Sequence, residues 1–297
     1  MSCIFRHYYA NSRFTQDFIK IRNFLIRINE ESLATVNYPF GRWEWMNSLE
    51  NHSKENMEKI GIWEDAGIIV GVAVFESELG DTWLITDPLY THLKREMLDY
   101  AIVNMVGEKG FRLSINRNDT ELQAIAAEYN FIPTDHHEPD SFIEISELTD
   151  YQLPEGFSIV SLKERYDIKE YNRVLWRGFN HPGEASTDDL TLKGRIQSIS
   201  GPDVNLDLNI AVVAPNGHFV SYCGMWHIPK TKYALVEPVA TDPDYRKMGL
   251  GKAAVIEAIK RCGKAGAKYA FVGSSQEFYY HIGFKPYSAN TWWIQSK

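Results

Sequence analysis

Cysteine is scarce in this chain: Cys3, Cys223 and Cys262 are the only three in 297 residues, odd in number and far apart. They match neither a disulfide framework nor the paired spacing of a zinc site, and a reducing cytoplasm is the expected location. The nine histidines include His136-His137 but no His-x3-His pair, so no metal is expected. A positive excess is missing as well. Lysine and arginine number 31 against 39 acidic residues, for a formal net charge of −8, which argues against nucleic acid as a partner. No apolar run approaches the roughly 20 residues that span a bilayer. The stretch "MSCIFRHYYANSRF" has no apolar core after its first arginine, so neither membrane attachment nor a signal peptide is expected. The composition, 44% hydrophobic and 24% charged, is that of a globular protein long enough for two domains.

Pro154 and Gly156 lie in the polar stretch "LTDYQLPEG", which reads as a linker. The expected division is a first domain over 1–147, a linker over 148–155 and a second domain over 156–297. In the second half "GFSIVSL" alternates like a strand, and 163–179 reads as a helix with Tyr171, Val174, Leu175 and Phe179 near helical spacing. A second helix follows over 189–199. Two β-rich runs are joined by Asn216-Gly217, a strong hairpin signal. Then come a strand over 233–241, a helix over 249–262, a buried strand "YAFVG", a short helix over 276–281 and a closing β-like run over 284–294. The order is β-α-α-β-β-β-α-β-α-β.

The first half echoes this plan. A hairpin over 60–75 turns at Asp65-Ala66-Gly67, and the strand "TWLITDP" follows. A helix over 89–106, the strand "FRLSI" and the segment "ELQAIAAEYNF" complete it; the last parallels "SQEFYYHIGF". Recurrence of one order with little identity points to a duplicated α/β fold.

The segment "DYRKMGLGKAA" carries the clearest chemical signal. Gly249 and Gly251, flanked by Arg246, Lys247 and Lys252, run straight into an apolar helical pattern. Glycines let a backbone turn with no Cβ between amide and ligand. The first N–H groups of a helix lack internal partners and sit at the positive end of its dipole, so a phosphate completes them. A P-loop is excluded, because Arg246 stands where its first glycine belongs and Ala253 where its Ser or Thr belongs. A dinucleotide fingerprint is set aside: "DPDYRKM" intervenes between strand and glycines, and the next strand ends at Gly273 without an acid.

"VEPVATDPDYRKMGLGKAAVIEAIKRC", followed by "YYHIGF", resembles the two coenzyme motifs of the GNAT superfamily of N-acetyltransferases. The resemblance covers 156–297 strongly and 1–147 in outline. It implies two GNAT-like α/β domains, each with a mixed, mostly antiparallel sheet flanked by helices. It also implies transfer of the acetyl group of acetyl-CoA to the amine of a small molecule, by direct attack in a ternary complex. A non-catalytic acyl-CoA sensor, or an acyltransferase using a longer acyl group or a peptide acceptor, shares the same motifs. Acetyl-CoA is the expected co-substrate and a small-molecule amine the expected partner, with a homodimer left open.

By that resemblance the pyrophosphate is bound by Arg246, Lys247, Met248, Gly249, Leu250, Gly251 and Lys252. The pantetheine arm meets the backbone of Val239 and Thr241, with the Val239 N–H facing the thioester carbonyl. Tyr279 is the general acid for the leaving thiolate, with Tyr280 as its neighbour and runner-up. Glu237, on the strand before the loop, is either the general base or the partner of a nearby cation. Pro238 cannot donate a ladder hydrogen bond, which fits locally disrupted pairing. The acceptor loop falls between the first two helices of the second half, around Phe179 to Glu184, with Phe179 and His181 as its substrate contacts. "GSSQEF" stands where the family often has an early asparagine or other polar residue, so either Ser274, Ser275 or Gln276 takes that role or it is absent. The first half lacks both signatures. "LYTHLKREMLDYAI" has no glycine, Ala126 stands where Tyr279 would, and Asn130 replaces Gly283. It therefore reads as a degenerate domain that shapes the substrate pocket or a dimer surface.

Overall fold

The computed structural model describes residues 3–31, 38–48 and 53–296. The chain divides into two compact units, Met1–Pro139 with Ser288–Lys297, and Asp140–Tyr287.

In chain order the elements begin with β1 (Ile4–His7), α1 (Gln16–Glu31), α2 (Phe40–Ser48), α3 (Lys54–Met57), β2 (Gly61–Asp65), β3 (Ile68–Phe75) and β4 (Asp81–Thr86). They continue with α4 (Lys94–Asn104), β5 (Arg112–Asn116), α5 (Thr120–Glu128) and β6 (Phe131–Glu144). The rest are β7 (Ser158–Ser161), α6 (Ile168–Gly178), α7 (Asp189–Ser198), β8 (Ile210–Val213), β9 (Phe219–Trp226), β10 (Tyr233–Thr241), α8 (Leu250–Lys264), β11 (Tyr269–Val272), α9 (Glu277–Tyr280) and β12 (Lys285–Gln295). The α/β class and the order expected for the second half are both observed.

The first unit carries the strand order β1-β2-β3-β4-β5-β12. β4–β5 is parallel and the other four pairs are antiparallel. The second carries β7-β8-β9-β10-β11-β6, with β10–β11 parallel and the other four antiparallel. The two sheets therefore share one order and one set of polarities.

The boundaries differ from those expected. Residues 288–297 count with the first unit, where Asn290–Ile294 pair with β5. Residues 140–147 count with the second, where Ser141–Glu144 pair with β11. Periodicity identifies a strand but says nothing about which distant sheet edge receives it. Two helix starts also differ. α6 begins at Ile168, five residues later than expected, because Asp167 caps it, its carboxylate accepting the Glu170 N–H at 3.1 Å. α4 begins at Lys94, after a 3₁₀ turn over Pro88–Leu93 that Asp87 caps.

Alternation along the strands of the second unit divides its core between two faces. Ile210, Val212, Cys223, Met225, Ala234 and Val236 pack under α8, against Ala254, Val255, Ala258, Ile259 and Cys262. Ala211, Tyr222 and Ala240 point the other way and meet Tyr171, Val174 and Leu175 of α6. Burial raises the Cys262 thiol to about 12 and the Cys223 thiol well above the usual range, so both stay protonated and act as packing. Among the described residues no helix is long and apolar enough to cross a membrane.

Candidate active site

The site begins with a strand that loses its neighbour. β10 pairs with β11 in parallel only as far as Leu235↔Phe271, yet continues to Thr241. On its other side the register with β9 jumps from Val236↔Met225 to Val239↔Cys223. Two residues, Glu237 and Pro238, thus oppose Gly224 alone, and a bulge re-aims the strand. Gly224 is required there, because a Cβ would lie 2.7 Å from the Glu237 carbonyl oxygen and 3.0 Å from Pro238 Cδ. Gly224→Val is expected to lower stability by about 2 kcal/mol, the usual scale for overpacking, as read by denaturant unfolding. Unchanged stability would mean that the bulge is not fixed by this contact.

Beyond the bulge lies a cavity of about 690 Å³, within the range of small-molecule sites. Val239, Ala240 and Thr241 form one wall, and Gly178, Phe179 and Asn180 at the end of α6 form another. The loop before α8 supplies Tyr245, Arg246, Lys247 and Gly249, and α8 itself supplies Leu250, Gly251 and Lys252. Gln276, Phe278, Tyr279, His281 and Ile282 close it.

The loop owes its shape to Asp242, Lys247 and Gly249. The fully buried Asp242 carboxylate accepts from the Asp244 N–H at 3.1 Å, from Arg177 Nε at 2.6 Å and from Arg177 Nη2 at 2.9 Å. Arg173 Nη2 lies 3.1 Å away. Burial alone would raise this carboxyl, but the Arg177 and Asp244 hydrogen bonds and the two guanidinium charges outweigh it and hold it below the usual range. Asp242→Asn should cost about 2 kcal/mol at neutral pH, the scale for charge-assisted hydrogen bonds, because a buried carboxylate loses its charge towards the half-buried Arg177 and Arg173 while Arg177 keeps Asp244. A lowered carboxylate pKa stabilises the fold above the unfolded value near ~3.9 and loses that contribution as pH falls through the folded value. The gap between variant and parent should therefore close in acid, as followed by urea unfolding at several pH values.

Lys247 (φ 63°) and Gly249 (φ 79°) are both left-handed, and this brings the chain round to open α8 at Leu250. Gly249 is its N-cap, with no side chain bonding to the first turn. The leading amides of α8 therefore face the cavity mouth uncapped. Gly251 keeps the approach open, since a Cβ there would stand 2.9 Å from Thr241 Oγ1 and 3.2 Å from the Phe278 ring.

Arg246 does more than add charge. Its Nε donates to the Thr241 carbonyl at 3.1 Å, and Nη2 donates to the Gly178 carbonyl and to Asn180 Oδ1, both at 2.9 Å. It ties the loop to the end of α6. Lys252 and Thr241 line the cavity as well, and Thr241 Oγ1 lies 2.9 Å from Ser221 Oγ.

Tyr279 lines the cavity and is only 7% exposed, with edge-to-face contacts to Phe278 and Phe284. Burial first, then the neighbouring Cys223 thiol and Glu237 carboxylate, push its phenol well above the usual range. Tyr280 packs at the margin of the core and does not line the cavity. Gly283 (φ 120°) turns the chain after α9, its N–H donating to the Tyr279 and Tyr280 carbonyls at 3.2 and 3.0 Å.

Three expected site residues lie outside the lining. Glu237 is half-buried in the bulge, near enough for its charge to act on Tyr279. Met248 sits at the loop's apex, 41% exposed. His181 stacks on Trp176 with ring centroids 4.5 Å apart, and the Trp176 indole N–H closes that loop onto the Pro182 and Gly183 carbonyls. Phe179 does line the cavity and is 48% exposed. Of the alternatives over 274–276, Gln276 reaches it. The Arg177–Asp242 pair and the apolar contribution of Phe278 and Ile282 were not legible in the motifs. The Asp242-Pro243 step was the one available hint, as a capped turn.

Residues 171–284 match the family model described as Acetyltransferase (GNAT) family. No curated protein matches the chain. Among solved structures, a GCN5-related N-acetyltransferase from Sphaerobacter thermophilus is similar at a TM-score of 0.60 and 13% identity, over 98% of this chain and 94% of that one. A tandem GNAT protein from the clavulanic acid biosynthesis pathway is similar at 0.58 and 11% identity, over 98% of each chain. A GNAT-family acetyltransferase from Colwellia psychrerythraea gives 0.58 and 10% identity, over 99% of this chain and 100% of that one. At these identities the likeness speaks to the fold. Together with the motif-bearing cleft and the matched segment, it makes the second unit a GNAT acetyltransferase domain, a member of a family of acyl-transfer enzymes.

Proposed function

We propose that the second unit moves the acetyl group of acetyl-CoA to the amine of a small molecule, by direct attack in a ternary complex. One observation carries the reading: an uncapped helix N-terminus with left-handed Gly249 opens into a cleft that runs along the edge of β10 that β11 leaves unpaired, to Tyr279. Amides at a helix start, with Lys247 and Lys252 beside them, suit a pyrophosphate. The Val239 backbone and the Thr241 N–H, on the side where β11 has left, suit the amide-bearing pantetheine arm, while the Thr241 carbonyl is held by Arg246. Phe278 and Ile282 supply the apolar wall.

Tyr279 holds its proton throughout the physiological range and donates it to the departing thiolate. An ordinary phenol near ~10 protonates an ordinary thiolate near ~8.5 uphill. Burial raises both acids, so a thiolate formed in the same cleft is a stronger base than in water. Glu237 takes the ammonium proton of the acceptor, directly or through water, so that a neutral amine attacks. The net charge of −8 favours a cationic acceptor. The first unit is a degenerate copy that performs no chemistry.

Release of free thiol from acetyl-CoA across a panel of amines tests the proposal. Turnover with at least one amine is expected. Tight acetyl-CoA binding with no turnover on any amine would favour a sensing role instead.

A further inference from the structure

The first unit repeats the notch of the second. β4 pairs in parallel with β5 only through Trp83↔Ser114, yet continues to Thr86. Asp87 caps the following turn, accepting the Leu89 N–H at 3.0 Å, and pairs with Arg27 of α1, as Asp242 does with Arg177 of α6. The notch holds a cavity of about 210 Å³, and its chemistry has changed. No glycine opens α4, whose N-cap is Leu93. Lys94 is buried, its Nζ 2.6 Å from Asp119 Oδ1 and 3.2 Å from Glu121 Oε2. Carboxylates thus meet the basic group at the start of this helix, and a pyrophosphate is excluded by charge as well as by space.

Polar side chains share the lining of the notch with Ile28, Leu84, Ile85 and Pro88. Asn116 is buried and fully engaged, its Nδ2 donating to Asn290 Oδ1 at 2.9 Å and to Ser288 Oγ at 3.1 Å, while its Oδ1 accepts the Asn118 N–H at 3.0 Å. Asn29 is different. It is 3% exposed and lines the cavity, and its Nδ2 has no hydrogen-bond partner. A buried donor left unpaired is destabilising and calls for an acceptor. Asp119, also in the lining, spends Oδ1 on Lys94 and on the Leu122 N–H, which leaves Oδ2 to accept.

We infer that this cleft binds a small free amino acid, its carboxylate on Asn29 Nδ2 and its ammonium on Asp119. Lys94 with Asp119 and Glu121 sums to one net negative charge, which suits a zwitterion better than an anion. At about 30 Å³ per water-sized group, the space takes roughly seven such groups, the size range from glycine to threonine. All of the residues that line it belong to the first unit.

Calorimetric titration of the full chain with glycine, L-alanine, L-serine and L-threonine, separately, tests the inference. At least one is expected to bind once per chain, with its methyl ester and its N-acetyl derivative at least tenfold weaker. Asn29→Leu removes the donor and fills space, and should weaken binding at least tenfold while melting no lower than the parent. Asp119→Asn should weaken it similarly, and both variants should hold acetyl-CoA within twofold of the parent. Failure of all four amino acids to bind, or undiminished affinity in Asn29→Leu, would overturn the inference; the second result would place the amino acid elsewhere, the acceptor site of the second unit included.

Discussion

Gly249→Val is expected to abolish acetyl-CoA binding while the fold survives, with calorimetry reading the first and circular dichroism the second. Gly249 stands at φ 79° and ψ 0° as the N-cap of α8. A β-branched residue resists that conformation, at a cost on the order of 1–2 kcal/mol before branching is counted. The protein itself has room, since a Cβ there meets no atom within 4 Å. Under the proposed assignment a phosphate sits on the α8 amides next to this residue, and the added methyl groups are expected to compete with it for that space. Backbone strain and lost access together should weaken affinity by roughly a hundredfold or more. Gly251→Val would be a poorer probe, because its Cβ would press on Thr241 and Phe278 and confuse binding with packing. Coenzyme affinity that barely moves in Gly249→Val would remove the loop from the site.

Tyr279→Phe is expected to lower kcat by roughly a hundredfold, the scale of a general acid, with acetyl-CoA affinity unchanged within twofold. Tyr280→Phe should change neither, because Tyr280 lies outside the cavity lining. The two variants separate chemistry from packing. Both remove one hydroxyl from α9, and one of those hydroxyls belongs to a ring that lines the cleft. A pH series adds an independent readout. The Tyr279 phenol is raised by burial and by the nearby Cys223 and Glu237. Its neutral form therefore contributes stability that is fully present below the unfolded value near ~10 and is lost as pH rises through the folded value. Tyr279→Phe should remove that alkaline loss, and below pH 9 this phenol should add no limb to the rate profile. If Tyr280→Phe proves the damaging change, the acid is the other tyrosine.

Much of the second unit was legible because its signals are local. Asn216-Gly217 makes the hairpin it implies, with Gly217 at φ 87°, and the apolar spacing of 250–264 buries α8 against the sheet. The glycine loop, Thr241, Val239 and Tyr279 converge on one cavity although 37 residues of sequence separate Thr241 from Tyr279. What was not legible is long-range or side-chain-directed. The strand "FKPYSANTWWI" reads correctly as a strand, but only the folded sheet shows Asn290–Ile294 beside β5. Met248 occupies the right loop, yet it sits between two left-handed residues and its side chain stands 41% exposed. His181 was placed by proximity to the acceptor loop, but Trp176 captures its ring. Glu237 falls at a bulge, where alternation no longer tells which way a side chain points. The equivalence of Asp87 with Asp242, each capping a turn and each held by an arginine from α1 or α6, was visible only as a repeated Asp-Pro. It is the strongest sign in the fold that the halves are copies.

Titration of the full chain with acetyl-CoA by calorimetry counts the coenzyme sites. The second unit offers uncapped amides behind two left-handed residues, and the first offers a buried Lys94 already held by Asp119 and Glu121. The expected result is one molecule bound per chain, lost in Gly249→Val. Two per chain would show that the first unit kept its coenzyme site, and no binding at all would contradict the assignment of the cleft.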